Sequence, residues 1–168
     1  LTQEERSWVW GVIGKRLAMR LSDEAMPAFQ QGQDQFMADD HLAWKVRAAL
    51  RAGQWEQVAK TTAAMGDAQR QDATWTYWRA RALLARPTGE ADRAEAQRLL
   101  QSIASVRGFY EQLALEELGQ AISAPPRPET LAAGERESAR LNPGLARSLR
   151  AIQIGLRSEG VREWNYST

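Results

Sequence analysis

Apolar positions recur three and four residues apart along most of the chain, which is the spacing of one helix face. Thr2-Gln3-Glu4-Glu5 reads as a capping box, Thr2 accepting from a first-turn amide while Glu5 reaches back. Behind it, Trp8, Val9, Val12, Ile13, Leu17 and Leu21 keep helical spacing. Ser22 caps a second helix through Ala25, Met26 and Phe29, ending near Gly32, with its start displaced by Pro27. Asp39 or Asp40 caps a third, from His41 to about Ala52, stopped by Gly53. A fourth runs from Trp55 to about Met65 and stops at Gly66. Asp72 caps a fifth, Ala73 to Ala85, stopped by Pro87. Glu90 to Ile103 is a sixth, and Gly108 to Leu118 a seventh, stopped by Gly119.

Residues 124–128 carry three prolines and predict a stiff, extended connector. Helix resumes from about Glu129 to Ala139. Asn142-Pro143 is an N-cap followed by proline at the first helical position, opening a helix to about Arg157. Gly160 precedes a last helix through Trp164. The chain thus reads as about ten short helices, in three parts: 1–123, the connector 124–128, and 129–168.

An internal echo sharpens the architecture. Trp44, Arg47, Ala48 and Leu50 map onto Trp78, Arg81, Ala82 and Leu84 at an offset of 34 residues, the length of a tetratricopeptide unit. Gly53-Gln54-Trp55 fits the turn of such a unit, and Ser158 to Trp164 is a looser echo. One hairpin of this kind cannot bury both faces, so neighbours must stack. The fold class expected is all-α: stacked helical hairpins forming a tetratricopeptide-like α-superhelix.

Composition supports this. Hydrophobic residues are 43% of 168, but only six are Val and five Ile, while Ala, Leu, Gln, Glu and Arg abound. No apolar run approaches the roughly 20 residues that span a bilayer, and the opening residues, polar and acidic, do not read as a signal peptide. The chain starts at Leu1 rather than Met and is read as a piece of a longer protein. Twenty-two basic residues, 19 of them Arg, balance 21 acidic ones, which argues against a nucleic-acid binder.

Candidate chemistry is sparse. Without cysteine there is no disulfide, thiolate zinc site or thiol nucleophile. His41, the single histidine, has no evident nucleophile to serve and reads as a surface or capping residue. Asp39-Asp40 and Glu116-Glu117 point about 100° apart on a helix and make poor acid pairs. No phosphate loop or metal spacing appears, so no cofactor and no metal are expected. The seven tryptophans stand out. Most belong in the core, but Trp75, Tyr77 and Trp78 surround one helix turn and cannot share one buried face unless both sides are covered. Tryptophan faces also stack on sugar rings.

Three stretches taken together resemble a known family. They are Trp75-Thr76-Tyr77-Trp78-Arg79-Ala80-Arg81-Ala82-Leu83, Arg107-Gly108-Phe109-Tyr110-Glu111-Gln112-Leu113-Ala114, and Gly155 to Trp164, with Leu99-Leu100 and Ile103-Ala104 between. In that order they resemble the helical region upstream of the catalytic domain in periplasmic soluble lytic murein transglycosylases. The resemblance implies a superhelix followed by a linker region, with residues 129–168 at its start. It also implies a separate lysozyme-like domain that cleaves the MurNAc–GlcNAc bond through one Glu acting as acid, then base, without metal. The chain is read as lacking that lyase domain. Glu137-Ser138 imitates the family's catalytic pair, but no Gly-Leu-Met-Gln element follows, and Arg136 and Arg140 favour an ionised carboxylate.

The resemblance implies a non-catalytic role in the cell wall of the periplasm. The chain would position peptidoglycan glycan strands for the protein's own catalytic domain, with cell-wall proteins as further partners. Trp75 and Trp78 are candidate glycan contacts, and Arg47, Arg79 and Arg81 candidates for stem-peptide carboxylates. The alternative is a free-standing tetratricopeptide-like adaptor for a protein partner.

Overall fold

The computed structural model describes residues 1–85, 89–123 and 127–168. Pro87, the expected stop of one helix, and Ala124-Pro125-Pro126 of the expected connector lie outside the described residues. The chain is all-α, with eleven α-helices, one 3-10 turn and no strand among the described residues. None of these helices is long and apolar enough to cross a membrane. The chain divides into two compact units, Leu1–Pro125 and Pro126–Thr168.

In the first unit, α1 (Gln3–Met19) opens on the expected box: Thr2 Oγ1 accepts from Glu5 N–H at 3.2 Å and Glu5 Oε2 accepts from Thr2 N–H at 2.8 Å. Its buried face is not the one its large residues suggested. Ser7, Gly11, Gly14 and Ala18 are buried, while Trp8, Val9, Ile13 and Leu21 are exposed. The cause is close approach. A Cβ on Gly11 would lie 2.5 Å from His41 Nδ1, and one on Gly14 would lie 2.6 Å from Phe29 Cδ1. Rings from neighbouring helices fill the space that side chains on this stripe would need.

Helix α2 (Ala25–Phe29) starts so late that Pro27 falls within its first turn, where a missing N–H costs no helical bond. A 3-10 turn at Asp34–Phe36 leads to α3 (Asp39–Arg51), which pairs with α4 (Trp55–Ala64) across Gly53 in the left-handed region at φ +67°. Unforeseen from the sequence, α5 (Asp67–Gln71) then forms a short turn of helix. Asp72 caps α6 (Ala73–Ala85), its Oδ1 accepting from Thr74 N–H at 2.9 Å. Helices α3 and α6 start 34 positions apart, preserving the sequence offset. The unit ends with α7 (Glu90–Ile103) and α8 (Phe109–Glu117), with Gly119 at φ +67° closing α8.

Two apolar clusters run through this unit. Phe29, Leu42, Val46, Ala49, Val58 and Trp75 build the first, and Tyr77, Ala80, Ala96, Leu100 and Ala114 the second. Helix α6 contributes to both, because α4 packs on one side of it and α7 and α8 on the other. Trp75 enters the first cluster, Tyr77 the second, and Trp78 touches both. Beside the first cluster lies a buried ion pair, Lys45 Nζ to Asp34 Oδ1 at 2.5 Å, with Thr61 Oγ1 donating to Asp34 Oδ2 at 3.3 Å. Truncating one partner of such a pair costs about 3–5 kcal/mol, since it strands a buried charge.

The second unit contains α9 (Ala133–Leu141), α10 (Pro143–Gln153) and α11 (Arg157–Ser167). Helix α9 starts at Ala133 rather than near Glu129, with Glu135 Oε2 accepting from Ala132 N–H at 2.8 Å. Asn142 caps α10 as expected, its Oδ1 accepting from Gly144 N–H at 2.9 Å and Leu145 N–H at 3.3 Å. The helix ends at Gln153, short of Arg157, because Gly155 adopts φ +91° and the Leu156 N–H bonds Ala151 O at 2.9 Å. Gly160, expected ahead of the last helix, lies inside α11. It is a packing glycine: a Cβ there would lie 2.5 Å from Ile152 Cγ1 and 2.8 Å from Ser148 O. Buried Ser148 donates to Gly160 O at 2.8 Å across the same contact.

Replacing Gly160 with Val should therefore force α11 away from α10. The expected loss is about 1–3 kcal/mol, with faster amide exchange over residues 143–167. Exchange as slow as in the parent chain would show that the hairpin tolerates the added side chain.

Candidate functional site

Helix α3 places Trp44, Arg47, Ala48 and Arg51 on one face, at steps of three and four residues. Arg47 is exposed, and its guanidinium carbon lies 5.0 Å from the Trp44 ring centroid and 4.9 Å from that of Trp75. The cation is thus held by two indoles, one from its own helix and one from α6. Arg47 donates no hydrogen bond to any described residue and forms no ion pair there. Trp75 is itself buried, and its Nε1–H donates to Gln69 Oε1 at 2.8 Å.

A groove of about 610 Å³ opens beside this cation. Ala18, Ala25, Met26, Pro27, Trp44, Ala48 and Ala52 give it mainly apolar walls. Two further charges line it, Arg51 and Asp23, and these pair with each other at 2.9 Å. Arg51 also donates to Leu21 O. Leu21, on the groove edge, has φ +57° without being glycine, a conformation that costs a branched side chain about 1–2 kcal/mol. That strain lies where α1 turns into the groove wall.

The other arginines singled out in the sequence are already engaged. Arg79 pairs with Glu95 at 3.3 Å, and Arg81 pairs with Glu117. Trp78 is half-buried and donates to Tyr110 Oη at 3.4 Å. It belongs to an aromatic chain, Tyr77, Trp78, Tyr110 and Phe109, with centroids 5.2–6.4 Å apart and Phe109 exposed at the end. Burial pushes the Tyr77 phenol above its ordinary pKa of 10.0, opposed by Arg81 and reinforced by Glu117 and Glu116. The structure therefore joins Arg47 and Trp75 in one site and keeps Trp78, Arg79 and Arg81 apart from it in carboxylate and aromatic contacts. Trp44, the second wall of the clamp, entered the sequence reading only as a repeat position, although its spacing of three from Arg47 was visible.

Glu137, the imitation catalytic acid, is exposed on α9 with Arg140 at 3.8 Å. It lacks the buried setting that a general acid of this kind occupies. His41, expected as a surface or capping residue, is buried against Gly11, edge-on to Trp8 at 5.8 Å, and its Nδ1 has no hydrogen-bond partner among the described residues. Burial lowers its pKa from the ordinary 6.5; Asp40 opposes that shift and Lys15 adds to it. Those two residues also pair with each other across α1 and α3.

The solved structure of an inactive mutant of the lytic transglycosylase Slt from Pseudomonas aeruginosa is similar to this chain, with a TM-score of 0.69 and 26% identity over 99% of the chain. The chain spans 26% of that protein's length. No family model matches the sequence, and no curated protein matches it.

His41 makes stability pH-dependent in a known direction. Its folded-state pKa lies below 6.5, so the unfolded chain binds the extra proton first as pH falls. The stabilisation is complete above about pH 6.5 and is lost as pH drops toward the folded-state value. Being the only histidine in a chain without cysteine, His41 is the one side chain whose ordinary pKa lies between pH 7.5 and 5.5. The melting temperature should fall across that range, and His41→Gln should flatten the fall. An unchanged slope in the variant would assign it elsewhere.

Proposed function

We propose that this chain is a non-catalytic helical part of a soluble lytic murein transglycosylase, working in the periplasm. It would hold peptidoglycan strands in place for a catalytic domain elsewhere in the protein. On this reading, residues 1–123 are superhelical scaffold, 124–128 a connector and 129–168 the start of a helical linker region. The observation that carries it is the likeness to the Slt structure along 99% of the chain, at 26% identity. The motifs around Trp75–Leu83, Arg107–Ala114 and Gly155–Trp164 point the same way.

The chemistry of the exposed surface is compatible with such a task. A scaffold needs groups that hold a polymer without reacting with it, and the positioning itself lowers the entropic cost of the later bond cleavage. Arg47 supplies a cation, without an ion-pair partner among the described residues, for stem-peptide carboxylates, while Arg79 and Arg81 already have carboxylate partners. The general acid and its buried setting would come from outside this chain.

A second reading, a tetratricopeptide-like adaptor for a protein partner, draws support from the 34-residue offset between α3 and α6. Co-sedimentation with purified sacculi separates the two. The transglycosylase reading expects the chain to pellet with intact peptidoglycan, Arg47→Ala to reduce retention several-fold, and Arg79→Gln to leave it near the parent level. A parent chain that stays in the supernatant would defeat this reading and favour the adaptor.

A further inference from the structure

Arg47 combines three properties. Its guanidinium carbon lies 4.9 and 5.0 Å from the centroids of two indole rings. Its N–H donors have no partner among the described residues. It borders a groove of about 610 Å³ whose walls are mostly alanine, proline, methionine and tryptophan. Cation–π contacts occupy the space above a guanidinium, but they do not use the donors in its plane. Those donors form the fork that matches a carboxylate bidentately. Because the rings already restrict the side chain, binding would freeze little additional rotamer freedom.

We propose that this groove is a binding site for the free carboxylate end of a short peptide with small apolar side chains. The carboxylate meets Arg47 in plane, and the residues behind it lie along Ala18, Ala25, Ala48 and Ala52. Small wall residues leave room for a backbone with methyl side chains, and the walls are mainly apolar, with Ser22 and Gln54 the uncharged polar side chains among them. The other lining charges do not compete, since Arg51 and Asp23 neutralise each other at 2.9 Å. This deepens the proposed function and rests on it for the source of the ligand: the part of the polymer read here is the end of a peptide stem, not the glycan.

The test is titration of the whole chain with a synthetic stem-type peptide ending in D-alanine, as free acid and as carboxamide. Tryptophan fluorescence reports binding, because Trp44 and Trp75 flank the cation. The free acid should bind at least about tenfold more tightly than the amide, as expected for loss of a charge-assisted pair. Arg47→Gln should abolish the difference while the melting temperature stays near that of the parent. Arg47→Lys should restore only part of it, since a point charge lacks the fork. Arg79→Gln should keep it. Equal binding of acid and amide, or a preference that survives Arg47→Gln, would overturn the proposal. Sacculi stripped of their stems separate it from the wider reading. If they retain the chain as well as intact sacculi do, the groove proposal fails and the transglycosylase reading stands. If the free acid binds through Arg47 but intact sacculi retain nothing, the groove stands and the wider reading fails.

Discussion

The packing of α1 against its neighbours rests on having almost nothing on one side of the helix. Gly11 and Gly14 leave space that the His41 and Phe29 rings fill, and Gly32 approaches the backbone of Ser7, where a Cβ would lie 2.9 Å from Ser7 Cα. Dense packing follows, because rings occupy the space that Cβ atoms on Gly11 and Gly14 would need. The same device recurs in the second unit, where Gly160 meets Ser148 and Ile152. In both places small residues make the contact and the larger apolar residues, Trp8 and Ile13 in one case and Leu149 and Val161 in the other, face outward.

That arrangement influences where chemistry resides. With His41 and Phe29 inserted into α1, helix α3 turns its Leu42, Val46 and Ala49 inward and leaves Trp44, Arg47 and Arg51 on the groove side. The next repeat position is handled differently. Arg81, the counterpart of Arg47, finds Glu117 on α8, and Trp78, the counterpart of Trp44, finds Tyr110. Identical residues at a 34-residue offset thus end as an open cation in one case and a closed ion pair in the other. What decides the outcome is the neighbouring helix, which supplies a carboxylate to Arg81 and an indole to Arg47.

Local chemistry made much of the fold legible. Thr2 with Glu5, Asp72, and Asn142 with Pro143 are caps whose partners lie within three residues, so the sequence carries the whole interaction. Gly53 and Gly119 are stops for the same reason. Gly160 lies inside a helix rather than ahead of it because glycine serves two ends. A left-handed turn and a close helix crossing demand the same residue, and only the partner, here Ser148, tells them apart. The large apolar residues of α1 were misleading in a similar way: their spacing marks a helix but not which face is buried, and the stripe at 7, 11, 14 and 18 was the informative one. At the site, Arg47 and Trp75 were visible as candidates. The carboxylates that occupy Arg79 and Arg81 lie 16 and 36 residues away, beyond anything periodicity reveals.

The central claim is that bulky rings seated on bare helix backbone set the positions of the helices. The most direct measurement is a double-mutant cycle in urea on Gly14→Ala and Phe29→Leu. The account predicts strong coupling: each change alone destabilises, by clash or by cavity, and the pair together recovers much of the loss because the smaller side chain makes room for the new methyl. Losses that simply add would contradict it, showing that Gly14 and Phe29 do not depend on each other for their packing.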